Sequence, residues 1–445
     1  MTTSRAELGE VVVVGAGIVG LTTALTLLRS GQRVRVLDRG KDPRKTLTDH
    51  GLGASWAGLG ARMYTRTEAD VYDEFFGLDG DVDQSTVPWG PGGLDLRARS
   101  PRSLTGRPPA VDRPSAGDRA AAVYATTLRA GRLWDELLAS LPSGHEHRRH
   151  DIVFRGYSTR AAHLHAVERH RRLGDLIRVV AADEIGDEVP ALRERHPRTV
   201  AGGIWVDGFT VDVHRVMLSM ITAIVAAGGQ LHFETVVERV LSPDGNHQQH
   251  TVCTHDGGRL PARHVVLAVG ASGNPLAHAS GFRSTVTGMV GAWIALPDVY
   301  GVRHSMKVRR PGAACEDANI TVGVHEGRPA LLVGSGYGHT GEDPDDVAPD
   351  ALRAMTEDIV ALCRALFPRA SLRANLAEQI AEPRFCVRPW TADSVPLHDV
   401  RRTGSGSVHL VTGHNTGGFA MAPAVAVDVA TSLETSTRPL HEMIG

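Results

Sequence analysis

Three glycines in the stretch VVVVGAGIVG, Val11 to Gly20, constrain the fold more than any other feature of the sequence. They have the spacing G-x-G-x-x-G, and they separate a run of β-branched residues from a segment with helical periodicity, Ile18 to Ser30. Gln32 to Asp38 then alternates as a second strand. This order of elements predicts a βαβ unit that binds a dinucleotide.

Each glycine of the turn has a separate role in such a unit. Gly15 permits the tight turn, Gly17 lets the backbone approach a pyrophosphate, and Gly20 lets the helix pack closely on the strand. The N-terminus of the helix offers unpaired N–H groups to the phosphates. Asp38 ends the second strand and can accept a hydrogen bond from a ribose hydroxyl, which disfavours the 2′-phosphate of NADP. The turn alone does not distinguish NAD from FAD.

Composition and charge argue against several classes of protein. The chain has 445 residues, which is long for one compact core and predicts two domains. A formal net charge of −2 gives no support for a nucleic-acid or membrane partner. The cysteines are widely spaced and the histidine clusters lack metal-site spacing, so we expect neither disulfides nor a metal. The polar N-terminus is not typical of a signal peptide, and a cytoplasmic location is expected.

Patterns typical of parallel α/β structure occur at both ends and in the middle of the chain, with alternating strands of an antiparallel sheet between them. The predicted nucleotide-binding domain is discontinuous and comprises residues 1–76, 196–275 and 383–445. The predicted substrate domain comprises residues 119–195 and 276–382. Residues 77–118 are rich in Gly, Pro, Asp and Arg without periodicity, and we expect an insertion that forms a lid or a flexible loop.

Several blocks of sequence carry a resemblance to a known family. They are VVVVGAGIVGLTTALTLLRSGQRVRVLDRG at the start, GGIWVDGFTVDVHRV and AGGQLHFETVVERV in the middle, and RFCVRPWTADSVPLH and VTGHNTGGFAMAPA near the end. In order and spacing, these blocks resemble the D-amino-acid oxidase family of flavoproteins, most closely its glycine oxidase and sarcosine oxidase branch. The resemblance implies an α/β fold, with a Rossmann-type FAD-binding domain and a substrate domain built on an antiparallel β-sheet.

The resemblance implies FAD as the cofactor. The residues that it assigns to FAD are Gly15, Gly17, Ile18, Val19 and Gly20 at the pyrophosphate turn, Asp38 and Arg39 at the ribose, Ser55, Ala57, Gly58 and Leu59 along the flavin, Val237 at the adenine, Gly270 in a glycine turn after a buried strand, and His414, Asn415, Gly417, Gly418, Phe419 and Ala420 around the flavin pyrimidine. The last segment also precedes a helix whose first turn is expected to carry Pro423, a favoured first position. Free N–H groups there would stabilise negative charge on reduced flavin. A plain turn at Gly417 and Gly418 is the alternative.

The resemblance also implies oxidation of a C–N bond. A neutral amine gives a hydride to flavin N5, the imine hydrolyses, and molecular oxygen reoxidises the flavin to give peroxide. We therefore predict an FAD-dependent oxidoreductase that acts on CH–NH or CH–NH2 groups of a small amine or amino acid, in secondary metabolism. Arg388, in VRPW, matches the family arginine that pairs with the substrate carboxylate. A structural salt bridge is the alternative for this residue.

Other residues are candidates for the catalytic site. Arg62, Tyr64, Arg66 and Tyr72 fall in GARMYTRTEADVYDE, where a solvated helix start is the alternative, and Tyr337 falls in GSGYGH. Lys307 is a candidate to promote the reaction of reduced flavin with oxygen, as a lysine does in sarcosine-oxidase relatives. A surface lysine is the alternative for Lys307.

Three positions bear on how far the family pattern applies. Thr416 stands where glycine oxidases carry a second arginine, and Ile320 stands where they carry a tyrosine. We therefore expect a substrate that is bulkier or more anionic than glycine. Cys315 is a conceivable covalent anchor for the flavin, with an inert buried thiol as the alternative.

Three other functions share the cofactor fingerprint. A flavin hydroxylase usually has a late Gly-Asp pair, which TADSVPLHD does not provide. A flavin-dependent dehydrogenase would pass electrons to an acceptor other than oxygen. A non-catalytic FAD-binding protein would bind flavin that no amine bleaches.

Overall fold

A computed structural model describes residues 10–45, 61–69, 94–98, 116–142, 147–243, 249–310, 315–391, 395–404 and 406–434. The strands in these ranges are β1 (Glu10–Val14), β2 (Arg33–Leu37), β3 (Ala61–Thr65), β4 (Leu94–Asp95), β5 (His150–Tyr157), β6 (Leu176–Val180), β7 (Gly202–Asp212), β8 (Gln230–His232), β9 (Val237–Leu241), β10 (His250–Thr254), β11 (Arg259–Ala262), β12 (His264–Leu267), β13 (Thr287–Pro297), β14 (Met306–Arg309), β15 (Asp317–His325), β16 (Arg328–Gly341), β17 (Arg384–Trp390), β18 (Leu397–Thr403) and β19 (Gly406–Thr412). The helices are α1 (Ile18–Arg29), α2 (Ala116–Ser140), α3 (Arg160–Leu173), α4 (Ile185–Glu188), α5 (Val213–Ala226), α6 (Asn274–Ala279), α7 (Pro349–Leu366), α8 (Pro368–Arg373), α9 (Leu376–Ala381) and α10 (Gly418–Glu434). No helix in the described ranges is long and apolar enough to cross a membrane.

A six-stranded sheet has the strand order β18-β19-β12-β1-β2-β8, and only the β18–β19 pair is antiparallel. Its centre is β1, where Val13 lies opposite Val266 of β12 and Val36 of β2. Val11 and Val13 pack in one apolar cluster, whereas Val12 packs in a second cluster. Both faces of β1 are therefore buried, which explains its unbroken run of valines.

The parallel strands of this sheet all end at the same edge. The glycine turn follows β1, Asp38 follows β2, Gly270 lies shortly after β12, and His414 lies shortly after β19. In open α/β sheets ligands bind at this carboxyl edge. The fold therefore brings sequence-distant segments of the predicted cofactor site together.

A ten-stranded, mainly antiparallel sheet forms the other large layer, with the order β17-β13-β16-β15-β14-β5-β7-β3. Strand β4 also pairs with β16, and β6 pairs with β7. Helix α7 covers part of this sheet through fully buried residues that include Met355 and Ile359. The predicted α/β class, with one parallel-type and one antiparallel sheet, is confirmed.

The exact domain boundaries stay a prediction. Strands β3, β7 and β17 pair in the ten-stranded sheet, although their residues fall in segments predicted for the nucleotide-binding domain. Of the predicted insertion 77–118, the described residues contribute β4 and the first residues of α2. The rest of that segment lies outside the described residues.

The position of Pro423 differs from the prediction. Helix α10 begins at Gly418, so Pro423 lies inside the helix and not at its first position. Proline has no N–H to donate to the Phe419 carbonyl, four residues earlier. Trp134 of α2 supplies the missing donor, because its indole Nε1 lies 3.1 Å from Phe419 O and 3.2 Å from Ala420 O. The long-range tryptophan contact therefore allows a proline that local rules exclude.

Trp134→Phe is expected to lower the free energy of unfolding by about 1–3 kcal/mol, because it leaves a buried carbonyl without a donor. Denaturant unfolding of the two proteins measures the difference. Adding Pro423→Ala to this variant restores a helical N–H opposite Phe419 O and should recover part of the loss. Equal stability of Trp134→Phe and the parent protein would contradict the account.

Candidate active site

The glycine turn after β1 leaves no room for side chains. Gly15 has φ +106°, and a Cβ atom there would lie 2.2 Å from Ala268 O. A Cβ atom on Gly20 would lie 1.9 Å from Gly15 O, so helix α1 packs directly on the turn. Gly17 is the N-cap of α1 without a capping side chain, and the first turn carries no acidic residue. The end of the helix is thus suited to a phosphate.

Asp38 lies against this turn. Its Oδ2 accepts a hydrogen bond from Ala16 N at 2.6 Å, and its Oδ1 accepts one from Gly40 N at 2.7 Å. A carboxylate has about four acceptor sites, so the group retains capacity for a ribose hydroxyl. Arg39 follows and donates to Ser272 Oγ at 3.1 Å, in the turn that begins with Gly270.

The adenine side of the predicted site also lies beside Asp38. Thr235 N donates to Asp38 O at 2.8 Å, and the chain enters β9 at Val237 two residues later. The glycine cradle, the carboxylate and this strand together fit FAD. Four of the predicted cofactor residues, Ser55, Ala57, Gly58 and Leu59, lie outside the described residues.

The loop before α10 is tied to the end of β17. Asn415 has φ +52°; its N–H donates to Pro389 O at 3.0 Å, and its Oδ1 accepts from Thr391 N at 3.0 Å. His414 is buried, and burial lowers its pKa to about 4, so the imidazole is neutral at neutral pH. Phe419 stacks on Trp134 with ring centroids 4.5 Å apart. This terminal loop is therefore fixed relative to Arg388, which precedes Pro389.

A cavity of about 190 Å³ is lined both by residues of the predicted cofactor site and by the candidate substrate-binding residues. Its lining from the glycine turn and the terminal loop consists of Ile18, Asn415, Thr416, Gly418 and Phe419. Its lining from the ten-stranded sheet and the turn after β3 includes Arg62, Met63, Glu68, Trp293, Lys307, Asp317, Asn319, Thr321, Tyr337, Cys386 and Arg388. The cavity thus lies where the two large sheets meet.

Arg388 reaches this cavity from β17. Its Nη1 donates to Gly336 O at 3.0 Å, and its guanidinium lies 5.7 Å from the centroid of the Tyr337 ring. A Cβ atom on Gly291 would lie 2.0 Å from Arg388 Nη2, so the glycine makes room for the guanidinium. Within the described ranges no carboxylate forms an ion pair with Arg388. The structural salt bridge considered from sequence is therefore not seen among these residues.

Two further predicted residues line the same cavity. The Arg62 guanidinium lies 5.1 Å from the centroid of a Trp293 ring. Burial lowers the pKa of Arg62, and the nearby Arg388 guanidinium acts in the same direction. Burial raises the pKa of Tyr337 far above its ordinary value, with a smaller effect in the same direction from Asp317. The Tyr337 hydroxyl therefore stays protonated at neutral pH.

Lys307 is buried, and the surface alternative is wrong. Its residue is 7% exposed, and its Nζ lies 3.7 Å from Glu68 Oε1 and 3.9 Å from Asp317 Oδ2. Sequence reasoning missed both carboxylates. The sequence does carry a signal for Asp317, because Asp317, Asn319 and Thr321 alternate as polar residues and so share one face of a strand. In the structure all three line the cavity. Nothing local to Glu68 indicates its contact with a strand far along the chain.

The comparisons with known proteins agree with this geometry. A family model described as DAO, FAD dependent oxidoreductase, matches residues 10–431. The chain belongs to this family. The predictions of the family, of FAD as the cofactor, and of an FAD-dependent oxidoreductase are thereby confirmed. No curated protein matches the sequence.

Solved structures show the same fold at low identity. Glycine oxidase from Geobacillus kaustophilus is 15% identical, with a TM-score of 0.63 over 97% of this chain and 96% of that chain. Iminodiacetate oxidase from Chelativorans sp. BNC1 is 18% identical, with a TM-score of 0.63 over 97% and 96%. NikD, an unusual amino acid oxidase essential for nikkomycin biosynthesis, is 17% identical, with a TM-score of 0.64 over 97% and 95%.

Two of the predicted tyrosine and arginine candidates lie away from the cavity of this DAO-family protein. Tyr64 is 5% exposed and donates to Thr127 O at 3.0 Å, and burial raises its pKa to about 12. Arg66 forms an ion pair with Asp207 at 3.0 Å. Both residues hold β3 and the turn after it in place. Tyr72 lies outside the described residues.

The structure also bears on two other positions. Ile320 is fully buried in the apolar core, so its neighbours Asn319 and Thr321, and not Ile320, line the cavity. Cys315 is also fully buried, and burial raises the pKa of its thiol to about 11. It is therefore the inert buried thiol considered as the alternative. Among the four cysteines, all within the described ranges, Cys386 is the one that lines the cavity.

Proposed function

We propose that this protein is an oxidase of an amine or amino acid that carries at least one carboxylate. The observation that supports it is that Arg62 and Arg388 line the same cavity as Ile18 of the glycine turn and the terminal loop. Two guanidiniums that line one cavity attract an anion, and an arginine fork suits a carboxylate.

The chain's own residues bind and orient the substrate. Arg388 holds the carboxylate and so fixes the direction of the α C–H bond, which supplies part of the rate enhancement through positioning. Bound FAD supplies the acceptor for the hydride, with the electrons passing on to oxygen to give peroxide. The cavity lining carries one more positive than negative charge, because Arg62, Lys307 and Arg388 outnumber Glu68 and Asp317. This excess positive charge favours the neutral form of the substrate amine. The released imine hydrolyses in water.

The substrate is proposed to be larger or more anionic than glycine. Two arginines line the cavity, and Arg62 is in addition to the arginine expected from the family pattern. Two of the similar solved structures are an iminodiacetate oxidase and an amino acid oxidase essential for nikkomycin biosynthesis, which supports a small imino or amino acid of secondary metabolism as the substrate.

Peroxide stoichiometry tests the oxidase assignment. We expect one H2O2 for each amine oxidised by the purified holoenzyme in air. Reduced flavin that persists in air until an artificial acceptor is added would instead identify a dehydrogenase. Substrate-dependent NADPH consumption would identify a hydroxylase.

Lys307→Met is expected to slow the reaction of reduced enzyme with oxygen by roughly 10-fold or more, because a positive charge next to developing negative charge is lost. Chemically reduced enzyme is mixed with oxygenated buffer, and the return of flavin absorbance is followed. The anaerobic reduction rate with substrate should change much less. Equal reoxidation rates in the two proteins would end the hypothesis for Lys307.

A further inference from the structure

The environment of Lys307 suggests a role for a residue outside the family motifs. Its ammonium group is buried, and burying a charge is costly unless opposite charge lies close. Glu68 and Asp317 supply that charge from two separate elements, the turn after β3 and strand β15. The distances of 3.7 and 3.9 Å exceed those of direct hydrogen bonds, so both are charge contacts.

Glu68 is itself held from behind. Thr65 donates to its Oε2 at 3.3 Å, and Arg155 lies 3.9 Å from the same oxygen. Glu68 is 6% exposed and Arg155 is 7% exposed. The carboxylate is therefore fixed on one side by groups that do not line the cavity and faces Lys307 with its other oxygen.

The backbone of the same residue contacts the terminal loop. Thr416 Oγ1 donates to Glu68 O at 3.1 Å. The next residue, Ala69, packs on Gly417, where a Cβ atom would lie 2.6 Å from Ala69 Cβ. Glu68 thus touches both Lys307 and the loop assigned to the flavin pyrimidine.

We propose that Glu68, together with Asp317, is a positioning residue that holds the Lys307 ammonium in the cavity and ties its place to the terminal cofactor loop. The inference rests on the proposed action of Lys307 at the flavin. Neither carboxylate needs to touch substrate for this role. Its signature is that the effect of Glu68 on the flavin passes through Lys307.

A double-mutant cycle tests this signature. The holoenzymes compared are the parent protein, Glu68→Gln, Lys307→Met and the double variant. Two quantities are measured: the rate at which chemically reduced enzyme reacts with oxygen, and the affinity of oxidised enzyme for sulfite, read from flavin absorbance. Sulfite is an anion whose binding at the flavin responds to nearby positive charge and requires no turnover.

We expect Glu68→Gln to change both quantities at least about fivefold more when Lys307 is present than in the Lys307→Met background, as coupled contact residues do. Glu68→Asp, which keeps the charge, should bring both the reoxidation rate and the sulfite affinity part of the way back to the values of the parent protein. Asp175→Asn is the matched control, because Asp175 is a buried carboxylate paired with His170 at 2.8 Å and does not line the cavity. It should leave both quantities unchanged.

Two results would overturn the inference in distinguishable ways. If Lys307→Met alters both quantities but Glu68→Gln acts equally in the two backgrounds, Glu68 is merely structural and only the positioning role fails. If Lys307→Met matches the parent protein in both, the action of Lys307 at the flavin fails as well. Should Glu68→Gln not fold, the cycle with Asp317→Asn decides between the same outcomes.

Discussion

Arg388→Ala is expected to lower kcat/KM by roughly 30- to several-thousand-fold while FAD content stays unchanged. Loss of one partner of a buried charge-assisted pair costs about 2–5 kcal/mol, which converts to this range. The guanidinium lines the cavity and donates within the protein only to Gly336 O among the described residues, so its remaining donors are available to a carboxylate. Rapid-reaction flavin reduction and bound-flavin stoichiometry measure the two effects.

A matched control comes from the same strand. Arg384 lies four residues earlier in β17, and its guanidinium contacts His325 at 3.1 Å outside the cavity. Arg384→Ala should leave reduction unchanged, whereas Arg388→Lys should retain charge and lose the fork, with an intermediate effect. If reduction by substrate is unaffected in Arg388→Ala, or if flavin is lost in proportion to activity, Arg388 is structural and Arg62 becomes the first candidate.

Gly15→Ala is expected to weaken FAD binding by at least about 30-fold. The left-handed backbone costs a non-glycine residue about 1–2 kcal/mol, and overpacking adds about 1–3 kcal/mol, at about 1.4 kcal/mol for each tenfold. The backbone cost applies because Gly15 has φ +106°, and the overpacking cost applies because a Cβ atom there would lie 2.2 Å from Ala268 O. The turn must shift, which moves its N–H groups away from the pyrophosphate. Titration of apoprotein with FAD measures the affinity.

Gly257→Ala is a control that separates the effect of backbone strain from the effect of crowding in the glycine turn that binds the cofactor. Gly257 has φ +86°, but nothing lies within 4 Å of a Cβ atom there. Its variant should bear the backbone cost alone and bind FAD normally. Equal FAD affinity for Gly15→Ala and the parent protein would contradict the assignment of the turn to the cofactor.

The cofactor half of the site could be predicted from the sequence because its signals are local. Gly15, Gly20 and Asp38 follow strand and helix patterns that periodicity makes visible, and the structure brings them to one sheet edge. Arg388 was found through a longer motif. These features depend on neighbours in sequence or on a known order of blocks, which a single chain displays.

The charged half of the cavity depends on contacts that no local pattern encodes. Glu68 meets Lys307 across more than two hundred residues of chain, and their pairing follows from the assembly of the ten-stranded sheet. The same reason explains the error at Pro423, where Trp134 replaces a helical hydrogen bond from a distant helix. Tyr64 has a residue type common in active sites, but its hydroxyl donates to Thr127 O in α2, a contact with a distant helix that the local sequence does not show.

Anaerobic bleaching of the purified flavoprotein tests whether the enzyme oxidises an amine that carries a carboxylate held by Arg388. The panel comprises D-amino acids, N-methyl amino acids, cyclic imino acids and 2-hydroxy acids, each beside a matched amine that lacks the carboxylate. We expect at least one carboxylate that bears a primary or secondary amine to reduce the flavin, its decarboxylated match to reduce it at least about 30-fold more slowly, and the preference to be lost in Arg388→Ala. Bleaching by 2-hydroxy acids alone, or equal rates of flavin reduction by amines with and without the carboxylate, would contradict this expectation.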